Sequence, residues 1–294
     1  MRCSNVWNSV GLLLCVCLLA GCTNHEGSLE EQGAQTEEAV SSEKLGEEYE
    51  TVFAVTRADE RTENEKEILV DLSDMPNPYK IQDGGTYRLT GSLYGRICIE
   101  AEEQIVHLIL DNASVYSGSG PAIQVNSAGK VVLTLAEDTV NTLQDSGTYQ
   151  VMGEENACIY SMCDFTVNGS GALNIHGYYK DGIHSRDVVK ILGGELYIQA
   201  KRDGIRGNDG ILIGGGALEI ESEGTGLHTT KSGKAGRGNI EILDGNVTMI
   251  SGEYAVHAQG DLCVRECLML AKGIFADLEA EGALYIQEEC LQDE

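Results

Sequence analysis

The sequence is poor in proline, tryptophan and basic residues. Its 294 residues include 3 Pro, 1 Trp and 20 Lys and Arg against 47 Asp and Glu. The formal net charge of −27 argues against a nucleic-acid-binding protein, because phosphate binding depends on clustered Lys and Arg. The scarcity of Pro argues against collagen and Pro-rich linkers. The 36 Gly residues argue against a mostly helical chain, since Gly inside a helix costs roughly 1 kcal/mol, so we expect an acidic, β-rich protein.

The first 21 residues are typical of a bacterial lipoprotein signal peptide. Arg2 precedes an apolar run, residues 11–20, that is too short for a bilayer span of about 20 residues. The run ends in Leu19, Ala20, Gly21 and Cys22, which resembles a lipobox. We predict that Cys22 is lipidated and anchors the mature chain to the extracytoplasmic side of the cell membrane. An ordinary cleaved signal peptide and a short membrane anchor are the alternatives.

Residues 22–71 are predicted to be the lipidated cysteine followed by a flexible tether. Residues 23–71 contain 15 acidic and 4 basic side chains, a composition typical of a solvated segment. Residues 72–294 are predicted to form a single domain, because the composition shows no break between 72 and 290.

Six cysteines remain after Cys22. Their spacings match no zinc site, and an even number in an exported protein permits disulfides. We expect free, buried thiols in preference to disulfides at Cys98, Cys158, Cys163, Cys263, Cys267 and Cys290.

The second half of the domain is a repeat. An apolar residue after Gly-x advances by 23, 22 and 29 residues through Gly171–Ile175, Gly194–Ile198, Gly216–Ile220 and Gly245–Met249. A second landmark, Asp-Gly-Ile or a variant of it, advances by 22, 22 and 29 residues through Asp181, Asp203, Thr225 and Tyr254. Both landmarks lengthen at one insertion, Thr229–Gly238. Short alternating strands separated by Gly at this period predict an all-β solenoid of parallel strands, a β-helix with rungs of about 22 residues.

Several motifs together resemble one bacterial family. They are Gly84–Gly91, Leu108–Asp111, Val132–Thr139, Cys158–Ser161 and Phe165–Gly171, followed by the Asp-Gly-Ile repeats. Over residues 72–290 the chain resembles the carbohydrate-binding, polysaccharide-lyase-like lipoproteins of clostridia. The resemblance implies a right-handed parallel β-helix that binds plant cell-wall polysaccharide, either acidic pectin-like glycans or cellulose. It also implies calcium along the helix, and binding without catalysis.

Two pairs of aspartates recur at equivalent positions of successive repeats, Asp181 with Asp203 and Asp187 with Asp209. Like charges about 5 Å apart repel by roughly 3 kcal/mol at an effective dielectric constant of about 20. Bound calcium would relieve this repulsion, since it prefers carboxylate and carbonyl oxygens. We therefore predict that these four residues bind calcium. The alternatives are that they form turns, or that neighbouring basic residues neutralise them: Lys180, Lys201 and Arg202.

Candidate sugar-binding residues lie in the same repeats. His184, Arg206 and His228 follow the apolar residue of each landmark, and we expect them to form a ladder that could meet the carboxylates of an acidic glycan. A solvent-exposed stack without a ligand is the alternative. The one Trp lies in the signal peptide, so Tyr178 and Tyr179 are the predicted sugar-stacking residues. We expect one tyrosine of the pair to pack in the core.

Three functions are compatible with these features. The first is a surface-anchored, calcium-assisted carbohydrate-binding protein that is not an enzyme. The second is a calcium-dependent polysaccharide lyase, which would need a basic residue near the uronate carboxylate; no Lys or Arg in the sequence is distinguished for that role. The third is a structural or adhesive surface protein without glycan specificity. The sequence favours the first.

Overall fold

The computed structural model describes residues 49–60, 66–149, 153–234 and 236–292. In these ranges the regular structure consists of β-strands and two 3₁₀ turns, Leu72–Asp74 and Glu288–Cys290, so the all-β prediction is confirmed. No helix in the described part of the chain is long and apolar enough to cross a membrane. The predicted signal peptide and Cys22 lie outside the described residues.

The strands, numbered in chain order, pair only in parallel wherever their register is defined in the described residues. They are β1 (Glu67–Asp71), β2 (Tyr79–Ile81), β3 (Gly85–Leu93), β4 (Ile97–Glu100), β5 (Ile105–Tyr116), β6 (Ile123–Ser127), β7 (Lys130–Leu135), β8 (Val140–Gln144), β9 (Ala157–Ser161), β10 (Phe165–Gly169), β11 (Ala172–Gly177), β12 (Asp181–Ser185), β13 (Val188–Ile191), β14 (Glu195–Ala200), β15 (Ile205–Gly207), β16 (Gly210–Ser222), β17 (Leu227–Thr229), β18 (Asn239–Ser251), β19 (Tyr254–Ala258), β20 (Leu262–Val264), β21 (Cys267–Gly273), β22 (Ala276–Ala280) and β23 (Leu284–Ile286). Hydrogen bonds join them into a 14-stranded and a 9-stranded sheet.

The larger sheet closes on itself. Its strands run β13-β10-β7-β5-β8-β11-β14-β16, and β16 pairs again with β13. This closure arises because two long strands each pair with two partners. Strand β16 pairs with β13 through Gly210–Ile213 and with β14 through Ala217–Ser222. Strand β5 pairs with β7 through Ile105–Leu110 and with β8 through Ser114–Tyr116. The prediction of a right-handed parallel β-helix is therefore wrong: eight strands form a closed parallel barrel, and a second parallel sheet accompanies it.

The glycines of β16 are one physical reason why the strands do not end where a β-helix would require. Residues 214–216 are all Gly and were expected to mark a corner that ends one strand before the next begins. Instead the strand continues through them, with register shifts around Gly214 against β18. A Gly-rich bulge can bend a strand without ending it, so one strand reaches two sets of partners.

The repeat period still determines which residues pack together. Register partners on β11, β14, β16 and β18 are apolar at two positions, and all of them are at least 98% buried. Each such side chain contributes about 1.5–3 kcal/mol when fully buried. The two rows are Leu173, Leu196, Leu218 and Val247, and Ile175, Ile198, Ile220 and Met249.

The glycine of each Asp-Gly-Ile landmark is required by close packing between repeats. A Cβ atom on Gly204 would lie 2.4 Å from Cγ2 of Ile220 and 2.8 Å from the carbonyl oxygen of Gly226. A Cβ on Gly182 would lie 2.4 Å from Cγ2 of Ile198. The Gly of the landmark is therefore required because each repeat packs closely on the next.

Part of the predicted tether belongs to the folded unit. Strand β1 pairs with β3 along its whole length, and residues 49–60 contact the larger sheet. Asp59 in this segment is completely buried. An acidic composition alone does not distinguish such a docked segment from a solvated one.

The six cysteines in the described residues are free and buried, as expected. Burial raises the pKa of the Cys163 and Cys263 thiols to about 11, which keeps both protonated at neutral pH. They therefore act as small apolar core residues.

Candidate functional site

The predicted ladder of His184, Arg206 and His228 exists in the nine-stranded sheet. These residues are successive register partners on β12, β15 and β17, and His257 on β19 continues the row. The side chains of His184, Arg206 and His228 are only 8%, 17% and 21% exposed, respectively. The ladder therefore offers little surface to a polymer, and its polar atoms bind internal partners.

The first pair of predicted calcium ligands is held by cationic side chains. Both carboxylate oxygens of Asp181 accept hydrogen bonds from Arg202, from Nε and Nη2 at 2.6 Å each. Asp203 Oδ2 accepts from Arg206 Nε at 3.0 Å and lies 2.9 Å from His228 Nδ1. Calcium prefers 6–8 oxygen ligands, whereas nitrogen donors already surround these carboxylates. Asp181 and Asp203 thus do not fit a calcium ion.

Burial and neighbouring charges set the ionisation of this network. Burial would raise the pKa of Asp203, but contacts with His228 and Arg206 outweigh it and hold that pKa well below its usual range. Burial lowers the pKa of His184 to about 4, so this imidazole is neutral at pH 7. Its two ring nitrogens lie beside the side-chain oxygens of Asn156 and Asn208.

The second predicted pair is divided between two environments. Asp209 lies 2.7 Å from Lys231 Nζ and 3.1 Å from Arg237 Nη2, both supplied by the insertion after β17. Asp187 is only partly buried, and burial together with repulsion from Asp164 and Asp209 raises its pKa. Of the four predicted ligands, Asp187 is the one that makes no ion pair in the part of the chain that the structure describes, and a cation would relieve its repulsion from Asp164 and Asp209.

A different cluster has metal-ligand geometry. In the part of the chain that the structure describes, ligand atoms of His257, Glu279 and Glu281 all lie within 4.8 Å of one another. His257 and Glu279 are register partners on β19 and β22. Glu281 is 60% exposed in its side chain, so the cluster is open to solvent.

The two predicted aromatic residues have different surroundings. Tyr178 is 45% exposed and stacks beside His176 with a centroid distance of 5.8 Å. Tyr179 packs on Tyr149 with ring centroids 4.1 Å apart. Asp145 holds this turn: it accepts the backbone N–H of Tyr178 and the O–H of Tyr149, both at 2.6 Å. Burial raises the pKa of Asp145 to about 6.

Tyr178 borders a broad, partly exposed surface on the larger sheet, formed by β5, β8, β11, β14, β16, β18 and β21. Because side chains alternate along a strand, two rows of register partners point outward, on each side of the buried isoleucine row. We call them together the two-row face. One row contains Ser114, Thr142, Asn174, Tyr197, Glu219, Thr248 and Leu270; the other contains Tyr116, Gln144, His176, Gln199, Glu221, Ile250 and Lys272.

Two shallow grooves lie on the two-row face. One, of about 380 Å³, includes Tyr178, Gln199 and Glu221, and the other, of about 340 Å³, includes Asn174 and Tyr197. The Tyr197 hydroxyl and the Gln199 amide both donate to Glu221 at 3.0 Å. At the far end of the face, Tyr94 is 79% exposed and stacks on Tyr116 with centroids 5.5 Å apart.

The sequence predicted Tyr178, at the border of the two-row face, but not the face itself. The signal was present in the repeat itself. The residue between the two buried apolar positions of each Leu-x-Ile segment must point outward, and in successive repeats it is Asn174, Tyr197 and Glu219.

Comparison with known proteins identifies the family. The model of a family described as carbohydrate-binding domain-containing proteins matches residues 77–276, which include every strand of the two-row face. The chain belongs to this family. A relative of the same description from Acetivibrio thermocellus is 30% identical over 135 residues, which are 44% of this chain and 47% of the relative. The match thus spans about half of that relative.

A solved structure is also similar. It is the polysaccharide lyase-like protein from C. thermocellum, solved as a gadolinium derivative. The two chains are 26% identical with a TM-score of 0.73, and the match covers 76% of this chain and 98% of that one. The resemblance to a carbohydrate-binding family is therefore confirmed, whereas the β-helix that it implied is not.

Proposed function

We propose that the two-row face binds a polysaccharide chain and does not cleave it. The observation that carries the proposal is the combination of tyrosine rings with uncharged polar side chains on one open parallel surface. Aromatic rings offer apolar area and a polar handle, which suits the faces and hydroxyls of sugars. Amides and hydroxyls both donate and accept hydrogen bonds, as sugar hydroxyls do. Strands about 4.8 Å apart repeat these contacts at close to the length of one sugar residue.

The charge of the face favours a neutral glycan. Its rows carry no acidic side chain from β5 to β14, whereas β16 presents Glu219 and Glu221, and the exposed Glu195 lies beside the face at the start of β14. A cellulose-like chain fits this surface without a counter-ion. An acidic pectin-like chain would be repelled by the glutamates unless a cation such as calcium lay between the carboxylates. We therefore propose cellulose-like glycans as the principal ligands and pectin-like glycans as ligands in the presence of calcium.

Affinity electrophoresis in gels that contain cellulose derivatives or polygalacturonate tests this proposal. We expect Tyr178→Ala and Tyr197→Ala each to weaken binding about 5- to 30-fold, which corresponds to roughly 1–2 kcal/mol of lost aromatic contact. Phe275→Ala is the control, because Phe275 is 67% exposed but lies outside the two-row face. Unchanged retardation of both tyrosine variants would contradict the site. Unsaturated fragments released from polygalacturonate would indicate a lyase.

We propose further that any calcium ion binds beside Asp187 and Asp164, because repulsion from Asp164 helps to raise the pKa of Asp187. Calcium at 100 times its dissociation constant should then stabilise the fold by about 2.7 kcal/mol. We expect a higher midpoint of thermal unfolding for the unmodified chain and no shift for Asp187→Asn. Asp83→Asn serves as a control, because Asp83 is an exposed carboxylate that is not among the charges acting on Asp187. If calcium does not change the midpoint of thermal unfolding of the unmodified chain, the proposed calcium site is wrong.

We also propose that lipidated Cys22 holds the domain on the outer side of the cell membrane. The apolar run that ends in Leu19–Cys22 supports this proposal. In a bacterial host we expect Cys22→Ser to move the protein from the membrane fraction to the soluble fraction. Cys98→Ser is the control, because Cys98 is a buried strand residue. Equal fractionation of both variants would contradict the anchor.

A further inference from the structure

Residues 49–60, which we call the strap, cover a part of the larger sheet that lies outside the two-row face. The Tyr49 hydroxyl donates to Glu241 on β18 at 2.8 Å, and the carbonyl oxygen of Ala54 accepts from Lys190 on β13 at 2.7 Å. Farther along, Asp59 reaches β10 and β7. The strap therefore runs across successive strands, in the direction that a linear polymer would take over the stacked repeats.

The Asp59 carboxylate enters a cradle made by three residues of the sheet. Lys130 Nζ lies 2.7 Å and Thr166 Oγ1 2.6 Å from Asp59 Oδ1, and Lys190 Nζ lies 3.0 Å from Oδ2. The strap itself adds the N–H and hydroxyl of Thr56. The sheet thus supplies both cations and one of the two hydroxyls that bind this carboxylate.

The cradle is buried and carries more positive than negative charge. The side chains of Asp59 and Lys190 are 0% and 7% exposed, and Lys130 is 12% exposed. Two ammonium groups therefore face one carboxylate away from water. Buried charges are costly, and an apolar floor would hold a segment such as the strap at lower cost. A floor with two lysines and a hydroxyl suits an anionic ligand that also carries hydroxyl groups.

We propose that Lys130, Thr166 and Lys190 form a binding site for the carboxylate of an acidic sugar, and that Asp59 of the strap occupies this site in the place of the ligand. The site goes beyond the proposed function, because it is separate from the two-row face and binds an acidic sugar through lysines, without calcium. The tethered Asp59 competes at an effective concentration of about millimolar or more. To displace Asp59, an acidic glycan must therefore make several contacts along the path of the strap.

Chemical rescue of Asp59→Ala in the full chain tests the cradle. We expect sodium galacturonate and sodium acetate to raise the midpoint of thermal unfolding of this variant saturably, relative to sodium chloride at equal ionic strength. The unmodified chain and Glu60→Ala, which removes the neighbouring exposed carboxylate, should respond much less. Adding Lys190→Met to Asp59→Ala should abolish the rescue. Equal responses of all variants would overturn the site, and rescue by acetate alone would overturn the assignment to a sugar.

A second measurement on the unmodified chain does not depend on the folding of that variant. Arg57 in the strap is exposed and provides a trypsin cleavage site. We expect oligogalacturonate to accelerate cleavage after Arg57 several-fold and neutral cello-oligosaccharides to leave the rate unchanged. A rate independent of oligogalacturonate would overturn the proposal. Tyr178→Ala should retain the acceleration, so failure of the two-row face and failure of the cradle are distinguishable.

Discussion

Replacement of Asp203 by alanine is expected to lower the free energy of unfolding by about 3–5 kcal/mol, the usual cost of removing one partner of a buried ion pair. The Asp203 side chain is 3% exposed, and its loss removes the carboxylate that Arg206 and His228 share, leaving Arg206 only the more distant Asp181 at 3.6 Å. Urea unfolding followed by circular dichroism measures this change. The size of the effect follows from the lost hydrogen bonds and lost charge pairing of the largely buried Arg206, and not from the volume of the deleted group.

Glu223→Ala is the matched control for this experiment. Glu223 also pairs with a basic residue of a neighbouring repeat, Lys201, but both side chains are more than half exposed. Its removal should change the free energy of unfolding by no more than about 0.5 kcal/mol. If Asp203→Ala is no more destabilising than Glu223→Ala, the buried charge network does not stabilise the fold.

The second large effect is a pH dependence that arises from Asp145. Its pKa is raised by burial from 3.8 to about 6, so the folded chain binds the proton more tightly than the unfolded chain. The stabilising contribution of the protonated form is complete below pH 3.8 and is lost as the pH rises through 6. Over that range Asp145 alone should remove about 3 kcal/mol from the free energy of unfolding.

Comparison with Asp145→Asn isolates this contribution. His184 acts in the opposite direction, because burial lowers its pKa to about 4 and its contribution is lost as the pH falls from 6.5. The difference in unfolding free energy between Asp145→Asn and the unmodified chain should therefore be followed, not either curve alone. Between pH 3.5 and 7 we expect the free energy of unfolding of the variant to rise by about 3 kcal/mol relative to that of the unmodified chain. A difference independent of pH would show that Asp145 does not titrate in this way.

The repeat could be predicted from the sequence because its information is local. Apolar residues 22 apart, such as Leu196 and Leu218, are indeed register partners, and the ladder of His184 and Arg206 follows from the same spacing. Closure of the barrel could not be predicted from this pattern. It depends on whether the chain turns or continues as a strand at residues 214–216 of β16 and at Asp111 and Asn112 of β5, and both continue. Three glycines permit either conformation.

The ion-pair partners of the charged residues also could not be predicted from the sequence. The spacing placed Asp181 and Asp203 side by side, but it did not specify whether Arg202 would turn toward Asp181 or toward solvent. The strap is a stronger case, since Asp59 binds Lys130 and Lys190, which are 71 and 131 residues away. No local composition signals such contacts, because they exist only once the sheet has formed.

Hydroxyl-radical footprinting of the unmodified protein, with and without a saturating cellulose-like oligosaccharide, tests the two-row face most directly. Exposed aromatic rings oxidise readily, and a bound glycan should shield those that it covers. We predict protection of Tyr94, Tyr116, Tyr178 and Tyr197, with no change at Phe275. Oxidation of the four tyrosines at the same rate in both states, while the glycan is bound, would contradict the proposed binding surface.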